Sequence, residues 1–155
     1  MSTTEIPRDK FFRDVTSNIK QQVEATSGLK GFSTKDRGNV MEIPIAGVKG
    51  CHYEIGFHRD GHEIALHFQG TAENNRSRSE GFRPHLPKLE KDLGRTLILG
   101  PHEGGNRKRL WIKLPLNPLT QDLLEQYSDL TARLIVQTYP ILKSILDQEY
   151  QNSPN

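Results

Sequence analysis

Residues 51–68 read CHYEIGFHRDGHEIALHF, and apolar and polar side chains alternate on both sides of Asp60-Gly61. Alternation with a period of two is typical of a strand that buries one face, and Asp-Gly is a favoured two-residue hairpin turn. The pattern predicts a hairpin of strands 51–58 and 62–68. A turn at Asp60-Gly61 sets the register, which pairs Tyr53 with Phe68, Ile55 with Leu66 and Phe57 with Ile64.

This register gives the hairpin an apolar face, which we expect to be buried, and a polar face. The polar pairs are Glu54 with His67, Gly56 with Ala65, and His58 with Glu63. Carboxylates and imidazoles are metal ligands, but Glu54 and His58 are about 13 Å apart along a strand. We therefore predict two separate surface ion pairs and no metal. The small Gly56–Ala65 pair would let a helix or a partner approach this face closely.

Hydrophobic periodicity predicts the remaining elements. They are a helix over 7–26, strands over 40–46, 96–99 and 108–114, a short helix from 84 or 87 to 93, and a long helix that begins at Asn117-Pro118 and kinks at Pro140. Residues 29–39 and 100–106 are expected to be loops. The sequence thus predicts one α+β domain over 1–155 with frayed ends. Its mainly antiparallel sheet has about five strands, with an N-terminal, a short middle and a long C-terminal helix.

The single cysteine, Cys51, rules out an intramolecular disulfide and favours a reducing compartment. The N-terminus has no apolar core of a signal peptide, and no run of about 18 apolar residues could span a membrane. We expect a cytoplasmic protein that has no membrane partner. Adjacent strand residues point to opposite faces, so Cys51 and His52 are not expected to form a nucleophile–base pair.

Positive charge is concentrated in residues 71–113, which carry ten Lys or Arg and five Asp or Glu. Within this segment, Arg109, Trp111 and Lys113 share one strand face, and cations beside an aromatic suit phosphate contact and base stacking. The predicted nucleic-acid-binding residues are Arg107, Lys108, Arg109, Trp111 and Lys113, with Arg76, Arg78 and Arg83 of a predicted loop extending the surface. In the alternative interpretation, Trp111 packs under a helix and the charges are solvated.

Known catalytic patterns do not fit the chain. A metal-dependent nuclease needs a lysine two positions after a strand carboxylate, but Glu54 leads to Gly56 and Glu63 to Ala65. Gly104-Gly105 lacks the Gly-Lys-Ser/Thr ending of a phosphate-binding loop. The sequence therefore favours a binding module without catalytic residues or a cofactor over an enzyme.

Several segments in order resemble a bacterial family of unknown function whose members often follow a restriction-endonuclease-like domain. They are Lys10-Phe11-Phe12, Cys51-His52-Tyr53-Glu54, Leu86 to Gly94, the basic strand ending at Leu114 and the closing helix. Together they cover most of residues 10–148, and no nuclease domain precedes them in this sequence. The resemblance implies a defence-related or DNA-associated setting and no catalytic residues.

Two functional hypotheses follow. The first is a nucleic-acid-associated accessory protein of a bacterial defence or DNA-processing system. The alternative is a homodimeric protein-interaction or immunity-type module. It would use the apolar stripe of the long helix as a coiled-coil seam. The competing interpretation is that the stripe packs on the chain's own sheet, and both can hold if the helix is apolar over a wide arc. The stripe consists of Leu123, Tyr127, Leu130, Leu134, Ile141 and Ile145.

Overall fold

The computed structural model describes residues 4–27, 34–102 and 105–152. It has an α+β fold with six antiparallel strands in the order β1-β2-β3-β4-β6-β5. The elements are α1 Arg8–Ser27, β1 Lys35–Asp36, β2 Val40–Pro44, β3 Cys51–His58, β4 Gly61–Phe68, α2 Ala72–Phe82, α3 Leu86–Leu93, β5 Ile98–Pro101, β6 Lys108–Leu114 and α4 Gln121–Asn152. A short 3-10 turn, Arg83–His85, joins α2 to α3. The predicted fold class is confirmed, with six strands in place of about five.

The hydrophobic core lies between one face of the sheet and the helices. Of the six hairpin residues predicted to be buried, Tyr53, Ile55, Ile64, Leu66 and Phe68 are buried, whereas Phe57 is half-buried. Phe57 stacks on Phe12 of α1, with ring centroids 4.8 Å apart. Two polar contacts tie the sheet to α4 through the core: the Tyr53 hydroxyl lies 2.7 Å from Thr138 Oγ1, and His62 Nδ1 lies 2.7 Å from the Tyr127 hydroxyl.

The predicted register of the hairpin is wrong. Tyr53 pairs with Leu66, Ile55 with Ile64 and Phe57 with His62, so each β3 residue pairs two positions earlier in β4 than predicted. The turn consists of Arg59 and Asp60, and Gly61 begins β4. A shift of two residues keeps every side chain on its predicted face, because side chains alternate with a period of two.

Gly61 explains why the turn lies one residue earlier. Its φ is 154°, and a Cβ at this position would lie 2.7 Å from the Leu114 carbonyl oxygen. The glycine therefore permits close approach of β4 to β6, and it is not a residue of the turn.

We expect Gly61→Ala to lower the free energy of unfolding by about 1–3 kcal/mol, because the added methyl group forces β4 and β6 apart. Gly100→Ala is the matched control, since a Cβ there meets nothing within 4 Å. The control should leave stability unchanged or slightly raised. Urea unfolding of both variants tests this, and equal stability of the two would contradict the proposed role of Gly61.

Two elements lie where the sequence predicted loops. Helix α2 was missed because it has almost no apolar stripe: its buried residues are Asn75, Arg78, Ser79 and Phe82. Thr71 caps it by accepting a hydrogen bond from the Asn74 backbone N–H at 3.1 Å. The two-residue strand β1 was missed because it is exposed and joins the sheet through its backbone alone.

Helix α4 begins at Gln121, three residues after Pro118, the predicted first helical residue. Thr120, not Asn117, caps the helix, with its Oγ1 accepting from the Leu123 backbone N–H at 3.3 Å. The helix continues through Pro140 to Asn152. Four residues of its predicted stripe are buried in the core, and Ile141 and Ile145 are half-buried against it. The stripe thus packs on the chain's own sheet and helices. This packing does not test whether the helix also forms a homodimer, which stays a prediction.

A buried arginine connects α2 to the rest of the fold. Arg78 donates hydrogen bonds to Glu149 of α4 at 2.9 and 3.0 Å and to the Lys49 carbonyl at 3.0 Å. Its side chain is 10% exposed. This contact joins α2, the loop before β3 and the end of α4.

Arg78→Met keeps the length of the side chain but removes these charged hydrogen bonds. We expect the variant to lose about 1.5–3 kcal/mol of unfolding free energy. Arg76→Met, an exposed position of the same helix, should change it by less than about 0.5 kcal/mol. Thermal melts of the two variants beside the wild type measure the difference, and a melt of Arg78→Met that matches Arg76→Met would refute the role of the contact.

Candidate functional site

The face of the sheet opposite the core, here called the outer face, carries the polar residues of β3, β4 and β6. Strand β3 supplies His52, Glu54, Gly56 and His58, β4 supplies Glu63, Ala65 and His67, and β6 supplies Arg109, Trp111 and Lys113. Their side chains point away from the core because Tyr53, Ile55, Ile64, Leu66, Leu110 and Ile112 on the same strands are buried in it.

The predicted separate surface pairs are instead one buried cluster. Glu54 is 6% exposed and Glu63 is 0% exposed. In the observed register Glu54 lies opposite Ala65, so that Glu63 and His67 are its diagonal neighbours. We call His52, Glu54, His58, Glu63 and His67 the carboxylate–histidine cluster. Both carboxylates reach His67, so the prediction that these residues are too far apart to share ligands is wrong.

The contacts of the cluster alternate between imidazole and carboxylate. Glu54 lies between two histidines, with Oε1 3.1 Å from His52 Nε2 and Oε2 3.1 Å from His67 Nε2. Glu63 Oε1 lies 3.4 Å from His67 Nε2 and 2.9 Å from His58 Nε2. Glu63 Oε2 accepts a hydrogen bond from Arg109 Nη1 at 2.6 Å.

Small residues make this arrangement sterically possible. A Cβ on Gly56 would lie 2.7 Å from His58 Nε2 and 3.2 Å from Glu63 Cγ. The missing side chain gives His58 the space to reach Glu63. The room that the sequence suggested for an approaching helix or partner is thus filled by side chains of the same face.

His67 is the least satisfied member of the cluster. It is 1% exposed, and its ring stacks on that of His52, with centroids 5.3 Å apart and planes within 5°. Its Nε2 approaches both carboxylates, but neither contact is aligned as a hydrogen bond, and Nδ1 has no hydrogen-bond partner among the described residues. The ring of His102 lies 5.0 Å away. A buried imidazole in which neither nitrogen makes a hydrogen bond is unusual.

The carboxylates determine the charge of the cluster. Burial favours neutral His67, but the adjacent Glu54 and Glu63 outweigh it and raise the pKa of His67 to about 9. Burial also opposes ionisation of both carboxylates, yet His52 and His67 hold the pKa of Glu54 below its usual range. His67, His58 and Arg109 likewise lower the pKa of Glu63. Without a bound ion, the cluster contains an imidazolium between two carboxylates at neutral pH.

This charge state predicts a pH dependence of stability. The pKa of His67 is about 9 in the folded chain, against about 6.5 when unfolded. The stabilisation by its charge is therefore fully present below about pH 6.5 and is lost as the pH rises through about 9. The groups around it are Glu54 and His52 of β3, Glu63 of β4, Arg109 of β6, and His102.

Urea unfolding in EDTA at about pH 6.5, 8 and 9.5 measures this effect. We expect the wild type to lose unfolding free energy across the series and His67→Gln to lose less. His85→Gln removes an exposed histidine elsewhere and should keep the wild-type slope. A His67→Gln slope equal to that of the wild type would contradict the assignment of the charge to His67.

The structure separates the predicted nucleic-acid-binding residues. Arg109 is held by Glu63 and is only 16% exposed, and its guanidinium lies 3.8 Å from the centre of the Trp111 ring. Lys108 points to the core side of the sheet, on the same face as Leu110. Arg107 is exposed next to β6. Trp111 and Lys113 remain together on the outer face, so the predicted five-residue surface is reduced to a smaller one.

The arginines of the predicted loop do not extend this surface. Arg78 is buried and paired with Glu149, and Arg83 is paired with Glu80 at 2.8 Å. Arg76 is exposed on α2. The net positive charge of residues 71–113 is thus divided between helices and strands and partly neutralised.

A groove lies at the turn end of the outer face. Its volume is about 430 Å³, and Arg59, Asp60, Arg109, Trp111 and Lys113 are among the residues that line it. Trp111 is half-buried here and faces away from the core. The position of Trp111 disagrees with the part of the alternative interpretation that packs it under a helix, whereas the exposed Lys113 agrees with the part in which the charges are solvated.

Cys51 belongs to the core side. Its thiol is buried, and burial raises its pKa. Arg78 Nη1 lies 3.5 Å from its sulfur, whereas His52 belongs to the outer face. As predicted, the two neighbours point apart, and the environment does not favour a reactive thiolate.

Comparisons with known proteins give little further information. No family model matches the chain, and it has no significant match among curated proteins. Among solved structures it is similar to YbjN, a proposed transcription regulator from E. coli, with 9% sequence identity and a TM-score of 0.44, over 88% of this chain and 96% of that chain. A likeness this distant supports no inference about function. None of the described helices combines the length and the apolar character needed to cross a membrane.

Proposed function

We propose that this chain is a binding module that holds single-stranded nucleic acid in the groove beside Trp111. One observation carries the proposal: the only tryptophan of the chain faces a groove that Arg59, Arg109 and Lys113 also line. Aromatic rings that stack bases, next to cations that contact phosphates, are the common elements of sequence-tolerant single-strand binding.

The groove residues divide into two roles. Arg109 lies against the ring of Trp111 and therefore positions the indole. Because its charge is neutralised by the ion pair with Glu63, it attracts phosphate only weakly. Arg59 and Lys113 are exposed and are free of ion pairs to the described residues, which suits contact with phosphates. A stacked base on Trp111 with its flanking phosphates on Arg59 and Lys113 uses the two groove cations that Glu63 does not hold.

The cellular setting is an accessory role in a bacterial defence or DNA-processing system. The resemblance of residues 10–148 to a family that follows restriction-endonuclease-like domains supports this part of the proposal. The alternative role is a homodimeric interaction module. It predicts a chain that dimerises with rising concentration and does not bind nucleic acid, and the same experiment decides between the two roles.

The test is binding of fluorescently labelled single-stranded and duplex oligonucleotides, measured by anisotropy at about 50 mM salt and at rising salt. Trp111→Ala should weaken single-strand binding by about 1–3 kcal/mol, or roughly 5- to 150-fold, and duplex binding less, because duplex bases are already stacked. Lys113→Ala should weaken both and reduce the salt slope by about 1.

Matched controls lie on α4, away from the groove. Tyr150→Ala removes an aromatic that is 85% exposed, and Lys143→Ala removes an exposed lysine. Both should bind like the wild type, and melts of all four variants should confirm that they fold. A wild-type chain that binds neither form at about 50 mM salt would overturn the proposal. If that chain also dimerises with rising concentration, the homodimeric module replaces it.

A further inference from the structure

The carboxylate–histidine cluster has the donors and the spacing of a metal site. Ligand atoms around a tetrahedral ion with bonds of about 2.0–2.1 Å lie about 3.3 Å apart. His52 Nε2 lies 3.1 Å from Glu54 Oε1, and His67 Nε2 lies 3.1 Å from the other oxygen, Oε2; Glu63 Oε1 lies 3.4 Å from His67 Nε2. The ligand atoms of His52, Glu54 and His67 all lie within 4.8 Å of one another.

Distances of 3.1–3.4 Å between imidazole nitrogens and carboxylate oxygens also fit a network of hydrogen bonds without a metal. His67 does not fit such a network, because neither of its ring nitrogens makes a hydrogen bond to the described residues. It is 1% exposed, its Nε2 points between the two carboxylates without an aligned hydrogen bond, and Nδ1 has no partner among the described residues. A buried polar group is normally satisfied, and an ion between the carboxylates would satisfy Nε2.

We propose that His52, Glu54 and His67 bind a divalent transition-metal ion on the outer face, next to Glu63. Two imidazoles with carboxylates favour zinc and its neighbours over magnesium or calcium, which prefer oxygen donors alone.

The surroundings resemble the outer shell that metal sites require. Arg109 Nη1 and His58 Nε2 bind opposite oxygens of Glu63, at 2.6 and 2.9 Å, and fix its orientation. Such partners orient the ligands and are typical of metal centres. The His52 side chain is 12% exposed at the edge of the cluster, which gives an ion a route from solvent.

The experiment uses the tag-free full chain after EDTA treatment and dialysis, titrated with zinc chloride in a calorimeter, with metal content measured after desalting. We expect one zinc ion per chain, release of protons on binding, and a higher Tm with zinc than without. His67→Gln and Glu54→Gln should each weaken zinc binding by more than the roughly 10- to 100-fold that loss of an outer-shell partner costs.

Two further variants keep the test decisive. His85→Gln removes an exposed histidine outside the cluster and should bind zinc like the wild type. His52→Gln changes the most accessible ligand, so it should fold even if a more buried variant does not, and it should also lose affinity. No stoichiometric zinc in the wild type, or undiminished binding by a folded His52→Gln or His67→Gln, would overturn the proposal.

Discussion

Two carboxylates buried in one face of the sheet constrain most of what lies around them. A buried carboxylate needs compensating charge and hydrogen bonds, and removing one partner of such a group costs about 3–5 kcal/mol. Glu54 is served by His52 and His67, and Glu63 by His58, His67 and Arg109. Because Glu63 fixes Arg109, it also fixes the cation that lies on Trp111. The cluster and the groove are therefore parts of one arrangement.

The fold was predictable where burial follows a simple period. Alternation in 51–68 and 108–114 and the stripes of the two long helices predicted the sheet, the core face and both terminal helices. It was not predictable where other forces replace apolar burial: α2 is held by Arg78 and Asn75 instead of a stripe. The predicted register was wrong because Gly61 permits a close approach of β4 to β6, which the local sequence pattern does not reveal.

The candidate site was predictable in composition but not in geometry. The polar face and its residue types were visible in the alternation, and Trp111 and Lys113 do share that face. Glu54 and Glu63 lie diagonally opposite each other and both contact His67, an arrangement that neither distances along one strand nor directly opposed pairs reveal. Gly56 and Ala65 could have indicated this arrangement from the sequence. Small residues on a polar face leave space, and the longer side chains next to them can fill it.

Helix α1 packs against α4, the last element of the described chain, and Asn18 contacts Ser128 across 110 residues of sequence. Contacts between such distant segments form slowly, because a long loop must close before they contribute. During synthesis α1 and the sheet leave the ribosome before α4 exists, so the apolar side of β3 and β4 lacks its cover until translation of α4 is complete. In this interval the exposed apolar face of β3 and β4 is a surface through which the nascent chain can aggregate.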